Sequence, residues 1–165
     1  MLKRLIRAGV LISLLLALSS CSAVTSAYVV RAGPGEYQLV IPPQCATTIT
    51  SVVVKYSGDP DDDSLGFDDL ETIWAATADR AGRDAVTLLD ENDGYVSEWT
   101  TDGIDADARV VIGWTEVQSD GDEFSDSLAG TLADIGEGDL LWYRGVTSRR
   151  AYDRAAQSPL VGFRC

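Results

Sequence analysis

Histidine is absent from all 165 residues. That absence removes Ser-His-Asp and Cys-His catalytic constellations and every histidine-based zinc site. The only methionine is Met1, so copper sites built on thioether ligands are excluded too. Lysine is nearly missing, with Lys3 and Lys55 set against eleven arginines. No Gly-x-Ser-x-Gly elbow, Ser-x-x-Lys or phosphate-cradling glycine loop occurs. The chain therefore carries no motif that specifies a nucleophilic or nucleotide-dependent reaction.

What is present begins at the N-terminus. Lys3, Arg4 and Arg7 precede an apolar run of 11 residues, Ala8 to Leu18. A permanent membrane-crossing helix needs roughly 20 such residues. The order of positive start, short apolar core and small residues reads as a secretory signal. Leu18-Ser19-Ser20-Cys21 then resembles the lipobox of bacterial lipoproteins. The resemblance implies removal of residues 1–20, attachment of diacylglyceryl and palmitate to Cys21, and anchoring at the extracytoplasmic face of the cell membrane. An ordinary secreted protein with an incidental Cys21 is the alternative. Arginine over lysine, with abundant Asp and Ala, also resembles small secreted lipoproteins of high-GC Gram-positive bacteria.

Without residues 1–20 the chain holds 10 cations against 26 acids, a formal charge of −16. Nucleic acid and anionic membrane surfaces would both repel it, so neither is an expected partner and anchoring falls to the lipid. Residues 57–139 carry 24 of those acids and a local balance of −21, while residues 140–165 carry +4. Opposite charges in one chain usually pair, so Arg144, Arg149, Arg150 and Arg154 are expected beside acidic loops. The alternative is a basic patch that meets an anionic envelope polymer or an acidic protein partner.

Two cysteines remain after Cys21. An even pair in an exported chain reads as a disulfide, here Cys45–Cys165. It would close a loop of about 120 residues and tie the chain's last residue to the first strands of the domain.

Residues 21–35 read as a lipidated tether, being small and ending in Gly33-Pro34-Gly35. Residues 36–165 read as a single β-rich domain. Runs at Glu36–Ile41, Thr47–Tyr56, Leu70–Ala78, Val86–Leu89, Tyr95–Trp99, Ala108–Val117, Asp139–Thr147 and Leu160–Cys165 have strand character. Many are β-branched or alternating, and gaps rich in Gly, Asp, Ser and Pro separate them. The expected fold is mainly β, an antiparallel β-sandwich of immunoglobulin-like architecture with one or two short helices. An α+β fold is the alternative. Phe124, Leu128, Leu132 and Ile135 fit one helical face, yet the first three also share strand parity, and Arg149–Gln157 suits a short helix.

Candidate chemistry is thin. Ser51 and Lys55 share a strand face, where a solvent-facing pair is the plain reading and a dyad the sharp one. Asp59, Asp61, Asp62, Asp63, Asp68 and Asp69 form one acidic group; Asp90, Glu91 and Asp93 form another. With Gly94, Gly103 or Gly121 as the central glycine the EF-hand register fails, so solvated acidic loops are the expectation, a calcium site is the alternative, and no metal ligand is assigned. No cofactor is expected. Trp74, Trp114 and Trp142 have apolar same-face neighbours and read as core. Trp99, flanked on its face by Ser97 and Thr101, is the one suited to exposure. These features point to a non-enzymatic binding or envelope-interaction module. A carbohydrate or small-ligand binder is the alternative, and a small hydrolase a more distant one.

Overall fold

The computed structural model describes residues 24–56, 66–100, 107–158 and 163–164. It is an antiparallel β-sandwich of two five-stranded sheets. The first sheet has the order β11-β10-β2-β3-β6, from Gly145–Ser148, Asp139–Trp142, Tyr28–Gly33, Glu36–Val40 and Ala85–Leu88. The second has the order β7-β5-β4-β8-β9, from Tyr95–Trp99, Glu71–Ala78, Thr48–Tyr56, Arg109–Val117 and Glu123–Thr131. A separate parallel pair joins β1 (Val24–Thr25) to β12 (Phe163–Arg164). The single helix among the described residues is α1, Arg149–Ala156.

Alternation explains the core. On β4, Val52 and Val54 turn inward between half-exposed Ser51, Val53 and Lys55. On β8, Val110, Ile112 and Trp114 do the same. These meet Val29, Leu39, Val86 and Leu141 of the first sheet in one apolar cluster. β-Branched residues dominate because their stiff side chains suit a pleated surface buried on one face. Two glycines mark close approaches. A Cβ at Gly130 would stand 2.8 Å from Leu141 of the opposite sheet, and one at Gly82 would stand 2.3 Å from the Ile49 carbonyl oxygen.

Two sequence expectations need correction, and the open choice at Phe124–Ile135 falls to the strand. The stretch expected to be a tether is largely inside the domain, since β2 lies between β10 and β3 with Ala27 and Val29 fully buried. Gly33-Pro34-Gly35 belongs to the β2–β3 hairpin connection; Gly35 takes a φ of +76°, which a side chain would resist. The run Asp139–Thr147 is two strands, broken at Tyr143–Arg144 ahead of Gly145 at φ +90°. Phe124–Ile135 forms β9 and a short 3-10 turn, because pairing with β8 satisfies its backbone and buries Leu128. The strands expected at 36–41, 47–56, 70–78, 86–89, 95–99 and 108–117 are present to within a residue or two. Residues 1–20, Cys21 and Cys165 lie outside the described residues.

The expected helix is present as α1. Arg and Ala favour it, and the Ser148 hydroxyl accepts from the Ala151 N–H at its start. It covers the outer face of the first sheet through Tyr152, whose ring packs edge-on against Tyr28 at 5.0 Å and Trp142 at 5.4 Å. The Tyr152 hydroxyl donates to the Ser26 carbonyl.

Burial pushes the Tyr152 phenol well above the ordinary value of 10.0, and burial also raises Tyr95, which donates to the Ile49 carbonyl. In both, the neutral form is the one the fold holds. Their contribution is complete below about pH 10 and is lost as pH rises through the raised folded values. Denaturant melts should therefore show stability falling above about pH 10. Tyr152→Phe should be less stable at pH 8, by about 1 kcal/mol, with a shallower alkaline decline. Identical alkaline slopes in the two proteins would refute the assignment.

Candidate functional site

The outer face of the first sheet is partly covered by α1, whereas much of that of the second sheet is open. On the open face, register lines up Thr77, Ser51, Thr115 and Ser125 across β5, β4, β8 and β9. The Thr115 and Ser125 hydroxyls are 3.1 Å apart. The adjacent row is Ala75, Val53, Gly113 and Ser127. Small residues keep this surface low, and one aromatic ring stands over it.

That ring is Phe67, from a 3-10 turn at Phe67–Asp69 that leads into β5. It sits on Gly113 so closely that a Cβ there would be 2.5 Å from the Phe67 Cζ. Lys55 holds the turn in place, with Nζ donating to the Phe67 carbonyl at 2.9 Å and lying 4.5 Å from the ring centroid. The result is a groove of about 310 Å³ lined by Ser51, Val53, Phe67, Gly113, Thr115, Ser125 and Ser127, among others. It combines an aromatic ring, a valine, a row of hydroxyls that can donate or accept, and the Asp126 carboxylate. Depressions at Arg31–Pro34 with Glu137 and beside Gly82–Asp84 hold no aromatic ring, and one against α1 is lined by Tyr28, Tyr152, Arg149 and Asp153.

The structure sorts the sequence candidates. Ser51 and Lys55 share the outer face, but the Lys55 ammonium is engaged by Phe67. Trp74, Trp114 and Trp142 are buried, and Trp99 is 48% exposed at the edge of the second sheet, as its neighbours suggested. Its ring still meets Trp74 edge-on at 6.4 Å. Among the described residues, no three Asp, Glu or Cys side chains gather as a metal cage. Asp59, Asp61, Asp62 and Asp63 lie outside those residues. Asp93 pairs with Arg83 at 2.8 Å. Cys45 is buried, and the Ser26 hydroxyl lies 3.0 Å from its sulfur.

Among the described residues none of the four arginines forms the expected ion pair with the acidic segment 57–139. Arg149 binds Asp153 of its own helix at 3.1 Å and donates to the Tyr28 hydroxyl. Arg144, Arg150 and Arg154 form no ion pair among the described residues. The core stands between the first sheet's outer face, which carries α1, and the acidic strands and turns of the second sheet, although Asp139 lies on β10 of the first sheet.

Two residues escaped the sequence reading. Phe67 falls in a Gly- and Asp-rich gap with no periodicity to mark it. Glu116 is buried and accepts from the Thr47 hydroxyl at 3.1 Å. Its parity with Val110, Ile112 and Trp114 already aimed it inward.

No protein-family model matches the chain, and neither curated proteins nor solved structures show significant similarity to it.

Proposed function

We propose that this chain is a lipid-anchored, extracytoplasmic, non-enzymatic binding module of a bacterial cell envelope. Cys21 carries the lipid, the Cys45–Cys165 bridge closes the domain, and the open face of the second sheet receives the ligand. The observation that carries the reading is the groove in which Phe67 stands over Gly113 beside the hydroxyls of Ser51, Thr115, Ser125 and Ser127. Its chemistry suits a glycan segment of the envelope. A sugar ring offers an apolar C–H face to Phe67 and hydroxyls to the serine and threonine row. Neutral hydroxyl contacts also avoid the charge repulsion that the −16 domain would impose on an anionic ligand.

Two support lines bear on the bridge. Arg164, the residue before Cys165, lies opposite Thr25, the residue before Ser26, in the parallel β1–β12 pair. Ser26 in turn touches the Cys45 sulfur.

The test has two arms. Membrane-extracted protein should show diacylglyceryl at Cys21 by intact mass, and Cys21→Ala should move the chain to the soluble fraction; unmodified Cys21 in the membrane fraction overturns the anchor. Titration with soluble envelope glycan fragments should show binding that Phe67→Ala or Gly113→Val weakens about tenfold, the loss of one stacking contact. Gly113→Val acts by displacing the ring. Equal affinity in all three proteins, or none in the wild type, overturns the groove.

A further inference from the structure

The unpaired arginines have a position as well as a charge. Tyr152 fixes α1 to the Ser26 carbonyl, so the helix lies beside the point where the chain enters the domain. Val24 begins β1, three residues after Cys21. Three residues span about 10 Å at full extension. With the lipid on Cys21, β1 therefore stays within about 10 Å of the anchoring point, close to the Debye length at physiological salt.

Charge follows the same geometry. Arg150 and Arg154 stand one turn apart on the solvent side of α1, opposite buried Tyr152, and the Arg154 Nε reaches the Arg150 carbonyl at 3.4 Å. Arg144 lies on the same outer face of the first sheet, with its guanidinium 5.7 Å from the Trp142 ring and 5.1 Å from the Tyr143 ring. Trp142 packs on Tyr152, which joins the turn to the helix, and Tyr143 is exposed. The acids facing this group are Asp153, held by Arg149, and Asp139, opposite Ser148 at the start of the helix. Three guanidinium groups thus carry no ion pair among the described residues of a chain dominated by carboxylates.

We propose that this face, made by Arg144, Arg150, Arg154 and Tyr143, docks on the anionic phospholipid surface that holds the anchor. It rests on the lipidation of Cys21 proposed above. Free in solution, the acidic domain would be repelled by such a surface. Tethered beside it, the domain is oriented by its one basic face, because guanidinium groups bind phosphate through paired N–H donors and a tyrosine suits the headgroup layer. The groove on the second sheet then faces away from the membrane, where its ligand is.

Lipidated full chain is reconstituted into vesicles of phosphatidylcholine alone or with a quarter phosphatidylglycerol, and amide hydrogen exchange of residues 143–156 is followed. Exchange should slow on the phosphatidylglycerol vesicles by about fivefold for each arginine engaged. High salt and the charge reversals Arg150→Glu with Arg154→Glu should each remove the difference. Intact mass of the same sample reads the lipid. A lipidated chain whose exchange ignores vesicle charge overturns the docking face and leaves the anchor standing; an unlipidated chain overturns the anchor and, with it, this inference. A difference that survives the double reversal also overturns it.

Discussion

Cys165→Ser is expected to lower the free energy of unfolding by about 2–5 kcal/mol, the range for losing a native bridge in a small exported domain. The argument is local as well as entropic. Cys45 belongs to the main apolar cluster. β12 runs parallel to β1 with Arg164 opposite Thr25, and Ser26 follows directly with its hydroxyl 3.0 Å from the Cys45 sulfur. Paired to Cys165, Cys45 would pin the two-residue strand β12. Cys45→Ser should cost a similar amount, and the double variant no more than either single one, because all three remove one bond. Denaturant melts supply the comparison. Two titratable thiols in the folded, unreduced protein would end the proposal, as would fully additive losses.

The legible part of this protein is its alternation. Val110, Ile112 and Trp114, or Trp74 and Ala76, declare a buried face because a strand repeats every two residues and half-buried strands must alternate. The helix at 149–156 was legible from Arg and Ala content ahead of Pro159. Where the reading failed, local composition pointed away from the outcome. Ser22 to Gly35 is small and glycine-bearing, so it reads as a tether, yet pairing with β10 and β3 gives β2 a central place. That pairing is a long-range decision that no window of residues contains. The site was less visible still. The groove is a property of register, since Thr77, Ser51, Thr115 and Ser125 come from four strands that only the sheet order aligns. Unlike charges attract, so the arginines read as partners for acids, but exposed pairs contribute only about 0–1 kcal/mol, too little to override which side of a sandwich each charge falls on.

Trp74→Ala should cost about 3–5 kcal/mol, while Trp99→Ala should cost about 1 kcal/mol or less, although the two rings touch. Trp74 is fully buried in β5, and its removal leaves a cavity between the sheets that a packed core cannot close. Trp99 lies opposite it on the edge strand β7, half exposed, and loses mainly one edge-on ring contact. Trp74→Phe separates two effects within the larger loss. The Trp74 Nε1–H is buried with no partner among the described residues, as is that of Trp114. An orphaned donor costs about 1–3 kcal/mol, so phenylalanine removes a penalty while leaving a smaller void. Its net cost should be about 1–2 kcal/mol, well short of the alanine value. Denaturant midpoints at constant m-value give all three numbers. Equal losses for Trp74→Ala and Trp99→Ala would mean that β7 is no free edge but is covered on its inner face, and a Trp74→Phe loss as large as alanine's would mean that the indole N–H has a partner.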